Sequence, residues 1–99
     1  MAGTVEELTA NYEEDGVLVV KEVGKEVLTK GAWATIMFLH QDLDRKTGEY
    51  GPPKITIRRY QRRDGVYMSR SKFTISSENQ ARQIAAKIAE WFPENRGGT

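Results

Sequence analysis

The chain has 99 residues, of which 38% are hydrophobic and 29% charged, and its net charge is +1; this is the size and composition of one globular domain. It has no cysteine and one histidine, which excludes disulfides, thiolate metal centres and histidine-rich metal sites, and we expect no cofactor, metal or small-molecule substrate. No apolar run approaches the roughly 18 residues of a membrane span, and the first residues lack the features of a signal peptide. We therefore expect a cytoplasmic protein, nucleoid-associated in a bacterium or nuclear in a eukaryote.

The first half of the chain predicts two strands behind an acidic leader. Residues 1–15 are polar and acidic, and two interpretations stay open for them, a flexible segment or one or two helical turns. Residues 17–23 are rich in β-branched side chains and predict a strand, which 26–29 continue or bulge. The most apolar run, 33–41, predicts a central strand, with a buried helix as the alternative. The acidic stretch 42–53 predicts a long connection because it contains two glycines and two prolines.

The second half of the chain begins with a predicted hairpin. Residues 54–61 alternate between apolar and polar side chains, which is typical of a half-buried strand. The Asp64-Gly65 pair favours a two-residue turn, and residues 66–75 return as the partner strand.

A C-terminal helix follows the hairpin. Ser77 and Gln80 have the spacing of a capping box, and apolar residues then recur with helical period until Pro93 ends the helix. The apolar stripe consists of Ala81, Ile84, Ala85, Ile88, Ala89 and Phe92. Residues 93–99 are predicted to be a flexible tail.

These elements predict an α+β fold with one ββββα domain over residues 16–92. A curved, four-stranded antiparallel sheet would be followed by an amphipathic helix. A helix covers only one face of such a sheet, and we expect it to cover the apolar side of the hairpin, formed by Ile55, Ile57, Phe73 and Ile75. The opposite side would then be open to solvent, to a ligand or to a second subunit.

Positive charge is concentrated in the predicted hairpin. Residues 54–74 carry seven bases and one acid, whereas residues 1–53 carry ten acids and five bases. Five of the seven bases are arginines, whose planar guanidinium suits phosphates and stacks on bases. By alternation, the side that the helix leaves uncovered should carry Thr56, Arg58, Tyr60 and Arg62 on one strand and Met68, Arg70, Lys72 and Thr74 on the other. Cations and aromatic rings on one surface are typical of single-strand binding; a solvated edge strand with protective charges is the alternative.

The hairpin and helix resemble a known family. The strand Ile55-Thr56-Ile57-Arg58-Arg59-Tyr60, a glycine turn, the strand Lys72-Phe73-Thr74-Ile75-Ser76 and the capped helix resemble the single-strand-binding domain of the transcriptional positive cofactor four family. The same ββββα module occurs in Pur-type and Whirly domains. The resemblance covers residues 54–92 and implies a coactivator-like homodimer that binds single-stranded DNA or melted duplex. The chain departs from the family at residues 69–73 and in the longer loop 42–53.

The predicted function is therefore non-enzymatic binding of single-stranded DNA or RNA, with DNA favoured, by a homodimer. The predicted nucleic-acid-binding residues are Lys54, Arg58, Tyr60, Arg62, Arg70, Lys72 and Trp33. The predicted dimer contacts are Trp91, Ile88 and Phe92 on the helix. The pair His40 and Asp42 offers an acid–base unit, but no nucleophile is indicated beside it.

A protein–protein interaction module is the alternative function. Its basic strand would bind an acidic partner, such as residues 1–15 of a neighbouring copy. In their own copy, the same acidic residues would lie over the basic face and inhibit it.

Overall fold

The computed structural model describes residues 2–94, which form one curled antiparallel sheet, a short 3-10 turn at Val5–Glu7 and one C-terminal helix. The strands are β1 (Tyr12–Glu14), β2 (Val17–Thr29), β3 (Trp33–Asp44), β4 (Glu49–Tyr50), β5 (Lys54–Arg63) and β6 (Val66–Ile75), and the helix is α1 (Glu78–Trp91). The predicted α+β class and the order of sheet and helix are confirmed. Of the predicted tail, residues 95–99 lie outside the described part. No helix within residues 2–94 is long and apolar enough to cross a membrane.

The prediction of four strands is wrong, because two short strands were overlooked. β1 pairs with the start of β2 through Asp15 and Gly16, which have φ angles of 51° and 78°. This is the same Asp-Gly turn chemistry that was recognised at Asp64 and Gly65 between β5 and β6. β4 lies inside the predicted connection and pairs with the last residues of β3. Both strands have at most three residues, too few for an alternating pattern to be visible in the sequence.

β3 is the central strand and decides the two faces of the sheet. The strand order is β1-β2-β3-β5-β6, with β4 paired to the end of β3, so β1 and β6 are edges. Along β3, Ala34, Ile36, Phe38 and His40 are buried, whereas the alternate residues are not. The side of the sheet that carries Ile36 and Phe38 is called the covered face, and the side that carries Trp33 is called the open face.

An N-terminal segment, residues 2–10, lies on the covered face and completes the core. Val5, Leu8 and Ala10 are buried there. They form one cluster with Ala34, Ile36, Phe38 and Tyr60. Most of the acidic leader is thus ordered on the sheet, as the 3-10 turn, the buried segment and β1.

Two charged side chains of β2 hold the N-terminal segment in place. Lys25 Nζ donates to the carbonyl oxygens of Val5 (2.7 Å), Glu6 (3.2 Å) and Leu8 (2.6 Å). Glu22 Oε1 accepts from Thr9 Oγ1 (2.7 Å) and from the backbone N–H of Ala10 (3.1 Å). Lys25 thereby gives the Glu6 and Leu8 carbonyl oxygens a hydrogen-bond donor at the end of the 3-10 turn, whereas the Val5 oxygen also accepts from the backbone N–H of Leu8 at 3.2 Å.

We expect Lys25→Met to lower the free energy of unfolding by about 1–3 kcal/mol, because it removes a charged donor from three carbonyl oxygens, of which the part-buried Leu8 oxygen loses its described side-chain partner. Urea denaturation followed by circular dichroism measures the change. Lys30→Met, at an exposed position, is the matched control and should change stability by less than about 0.5 kcal/mol. Equal effects of the two substitutions would contradict the anchoring role of Lys25.

Helix α1 begins as predicted but does not cover the sheet. Gln80 N donates to Ser77 Oγ at 3.1 Å, which is the expected cap. No residue of α1 is buried, and Phe73, which the helix was expected to cover, is 56% exposed. That prediction is therefore wrong for most of the hairpin; among its four apolar residues only Ile75, next to the start of the helix, is buried. The Cα radius of gyration of 16.0 Å exceeds the roughly 13 Å of a compact domain of this length.

Candidate functional site

The predicted single basic surface on β5 and β6 is divided between two faces. Lys72 lies opposite Arg58, and both share the covered face with Tyr60. The register then shifts between Arg59 and Tyr60, which makes Arg70 an extra residue in a bulge. Arg70 Nε donates to Oε1 of Gln61 at 3.1 Å. The prediction that alternation continues through β6 is therefore wrong, because one inserted residue moves the side chains that precede it in β6 to the other face.

The bulge also places Met68 on a different face from the one that alternation predicted. Met68 pairs with Gln61 on the open face, whereas Ser69 pairs with Tyr60 on the covered face. Thr56 and Thr74 lie opposite each other on one face, as alternation predicted, but that face is the covered one and not the open one.

Tyr60 is buried in the core, and Arg58 lies beside it. Tyr60 is 5% exposed within the core cluster. Arg58 is half-buried, with its Cζ 5.3 Å from the centre of the Phe38 ring and its Nη1 3.4 Å from the Tyr60 hydroxyl. The predicted stacking of a base on Tyr60 thus has no exposed ring surface in this structure.

Lys54 is engaged by a carboxylate. Its Nζ lies 3.0 Å from Asp42 Oδ2, and Asp42 Oδ1 lies 3.3 Å from His40 Nδ1. Burial raises the pKa of Asp42, but the hydrogen bond and charge of Lys54, with a smaller contribution from His40, outweigh it and lower the pKa overall. Among the predicted binding residues, Lys54 is the one whose charge is already neutralised within residues 2–94.

The remaining cations of β5 and β6 form what we call the cationic hairpin. Its members are Arg58, Arg59, Arg62, Arg63, Arg70 and Lys72. All except Arg58 are exposed. In the described part of the chain, none of the six lies within ion-pair distance of a carboxylate. Because β6 is an edge strand, this charge surrounds one edge of the sheet and creates a strong local positive potential.

Trp33 provides an exposed aromatic ring beside the cationic hairpin. It is 42% exposed at the start of β3 and lies opposite Gln61 on the open face. Arg59 places its Cζ 4.5 Å from the centre of the Trp33 ring. Sequence analysis selected Trp33 but missed Arg59 as a site residue, because only the pairing of β3 with β5 brings the two together.

His40 also takes part in a chain of side-chain contacts. Its Nε2 lies 2.7 Å from Thr56 Oγ1, which in turn lies 3.0 Å from Thr74 Oγ1. With Asp42 on Nδ1, the order is that of a hydroxyl–histidine–carboxylate triad. Thr56 is only 3% exposed, so its hydroxyl is shielded from any substrate. These side-chain contacts are better explained as hydrogen bonds that satisfy buried polar groups of neighbouring strands.

The open face is apolar at the end where α1 begins. A cavity of about 360 Å³ lies there between the sheet and the helix. Its apolar lining includes Leu39, Pro52, Pro53, Ile55, Ile75 and Ala81. The predicted dimer contacts Ile88, Trp91 and Phe92 lie at the other end of α1 and are all more than half exposed.

No family model matches this chain, and neither a curated protein nor a solved structure does. The resemblance to the positive cofactor four family stays a prediction, so the function has to be inferred from the geometry of the site.

Proposed function

We propose that this protein binds single-stranded nucleic acid, preferably DNA, without catalysis and in a coactivator-like role. The observation that carries the proposal is the cationic hairpin, whose six cations have no carboxylate partner within residues 2–94. Phosphates that bind such a surface release counterions from the nucleic acid, which supplies most of the affinity of sequence-independent binding.

The arrangement of Arg58 and Lys72 supports the binding of an anion. They face each other across β5 and β6, and like charges directly opposite each other destabilise a sheet. Arg58 Nε is buried and has no hydrogen-bond partner within the described residues. A phosphate near the two side chains would offset their repulsion and provide acceptors.

The exposed ring of Trp33 favours single strands over duplex. Unpaired bases present their faces to aromatic and guanidinium planes, whereas the faces of paired bases are hidden in the stack. Trp33 and Arg59 offer such planes on the open face. A duplex would contact only the charges.

Fluorescence anisotropy with labelled oligo-dT tests the proposal. At 50 mM salt we expect micromolar or tighter binding, falling as salt increases with a log–log slope of about −0.7 per phosphate contacted. A duplex of the same length, measured in parallel, should bind more weakly. The absence of oligo-dT binding at 50 mM salt would refute the function.

We further propose that a second copy of the chain covers the apolar end of the open face and α1. A helix of 14 residues is marginally stable in water unless its apolar face is packed, yet Ile88, Trp91 and Phe92 are exposed. The cavity near Ala81 lies at the first turn of the same helix, about 10 to 17 Å from these residues at 1.5 Å per residue. A two-fold axis would place the aromatic end of each helix at the cavity of the other, so that both contacts form together.

Ile88→Asp should convert the dimer to a monomer, because it places a charge in the centre of the proposed apolar contact. Light scattering should give twice the chain mass of 11.2 kDa for the unmodified protein and the single mass for the variant. Gln83→Asp, an exposed position off the apolar stripe, is the control and should stay dimeric. A monomeric unmodified protein at about 100 µM, a concentration far above the Kd expected for a specific interface, would contradict the proposal.

The charges at the two sheet edges favour a protein–protein module as the second candidate. Glu13 and Glu14 lie on edge strand β1, and Arg70 and Lys72 lie on edge strand β6. Edges of opposite charge can pair between copies, head to tail. Polyglutamate of the same length as oligo-dT distinguishes the two functions. Equal affinity for both polymers would favour the protein module, and a clear preference for oligo-dT would exclude it.

A further inference from the structure

We propose that the guanidinium of Arg59, supported from below by the Trp33 ring, is the surface on which an unpaired nucleobase stacks. This inference rests on the proposed single-strand binding and identifies where a base, as distinct from a phosphate, docks. It assigns base contact to Arg59, which the sequence did not select, in place of the buried Tyr60.

The register of β3 and β5 creates this platform. Trp33 pairs with Gln61 and Thr35 pairs with Arg59, so Trp33 and Arg59 are diagonal neighbours on the open face. The Arg59 Cζ lies 4.5 Å from the ring centre, which is the distance of a guanidinium lying over an indole. One side of the guanidinium is occupied by the ring. Because Arg59 is exposed and has no carboxylate partner within residues 2–94, its other side can receive a base.

The surroundings of the platform hold it in place and supply polar contacts. The N–H of Arg62 donates to the carbonyl of Ala32 at 2.7 Å, which extends the pairing of β5 past Trp33. Gln61 is half-buried and accepts a bond from Arg70 Nε. Arginine can only donate, so the amide oxygen faces Arg70 and the amide NH₂ points away from it. Residues held in place before binding lose less entropy when a ligand docks.

Two further cations lie on the Gln61 side of the platform. Arg63 follows Gln61 by two residues on the same face, and Arg70 bonds to Gln61 from β6. A phosphate on that side of a stacked base therefore has cations within reach. A stacking plane next to positive charge is typical of sequence-independent single-strand sites.

Arg59→Lys tests the platform because it keeps the charge and removes the planar group. We expect about tenfold weaker oligo-dT binding, as for the loss of one stacked base, with an unchanged salt slope. Arg82→Lys is the matched control, since Arg82 is exposed, lies on α1 outside the cationic hairpin and has no described aromatic neighbour; the affinity should stay within about twofold. An oligonucleotide of the same length without bases should bind Arg59→Lys and the unmodified protein equally.

Trp33 fluorescence gives a second measurement. In a Trp91→Phe background, Trp33 is the only tryptophan. Oligo-dT should quench its emission, and the oligonucleotide without bases should not. The stacking site is refuted, while single-strand binding stands, if oligo-dT binds Arg59→Lys as tightly as the unmodified protein and quenches Trp33 no more than the oligonucleotide without bases does. If oligo-dT does not bind at all, both proposals are refuted.

Discussion

Reversing two charges of the cationic hairpin, Arg62→Glu together with Lys72→Glu, should weaken oligo-dT binding at least about 100-fold at low salt. Each residue is expected to neutralise one phosphate, and the reversal replaces attraction by repulsion. The salt slope should fall by about 1.4, which is 0.7 for each lost contact. Both side chains are exposed, so we expect the fold to be retained. At position 72 a carboxylate would face Arg58 and turn a like-charge pair into an ion pair.

The structure also decides which residues should not be used for this experiment. Arg58→Glu would place a carboxylate over Phe38 beside the core, so lost binding would be confused with lost folding.

The matched control is Arg82→Glu with Lys87→Glu, which changes the net charge equally. These two residues lie on α1, where they already pair with Glu78 and Glu90. Equal losses in both double variants would show that only net charge matters, and unchanged binding of the hairpin variant would show that the hairpin is not the site.

Truncating Leu8 in the N-terminal segment should cost the protein much of its stability. Leu8→Ala should lower the free energy of unfolding by about 2–4 kcal/mol, because it removes apolar volume from a small core. Leu8 is one of seven buried residues in that cluster, and a whole domain is stable by only about 5–15 kcal/mol. Urea denaturation followed by circular dichroism measures the loss. Glu6→Ala, at an exposed position on the same segment, should change stability by less than about 0.5 kcal/mol.

Deletion of residues 2–10 separates a structural role of this segment from an inhibitory one. Its contacts are apolar side chains in the core and backbone carbonyls bound to Lys25, and none of its carboxylates pairs with the cationic hairpin. We therefore expect the truncated chain to unfold and to lose oligo-dT binding. A folded, truncated chain that binds oligo-dT more tightly would instead support inhibition by the acidic leader.

Local signals were sufficient for several elements of this protein. The cap at Ser77, the helical period that follows it and the Asp-Gly turn of the hairpin depend on neighbours within four residues, and the structure confirms them. The concentration of bases in residues 54–74 is likewise a property of the sequence alone. The sequence thus determined the α+β class, the hairpin and the location of the positive charge along the chain.

Only the tertiary structure decided which side of each strand is exposed. Alternation groups Thr56 with Tyr60 and Ile55 with Ile57, but it does not say which group is covered, because that depends on a distant segment. Here residues 2–10 cover Tyr60, while α1 leaves Phe73 exposed. The bulge at Arg70 and the contact of Arg59 with Trp33 depend on strand register. Register is set by pairing between strands far apart in the chain, which no local pattern records.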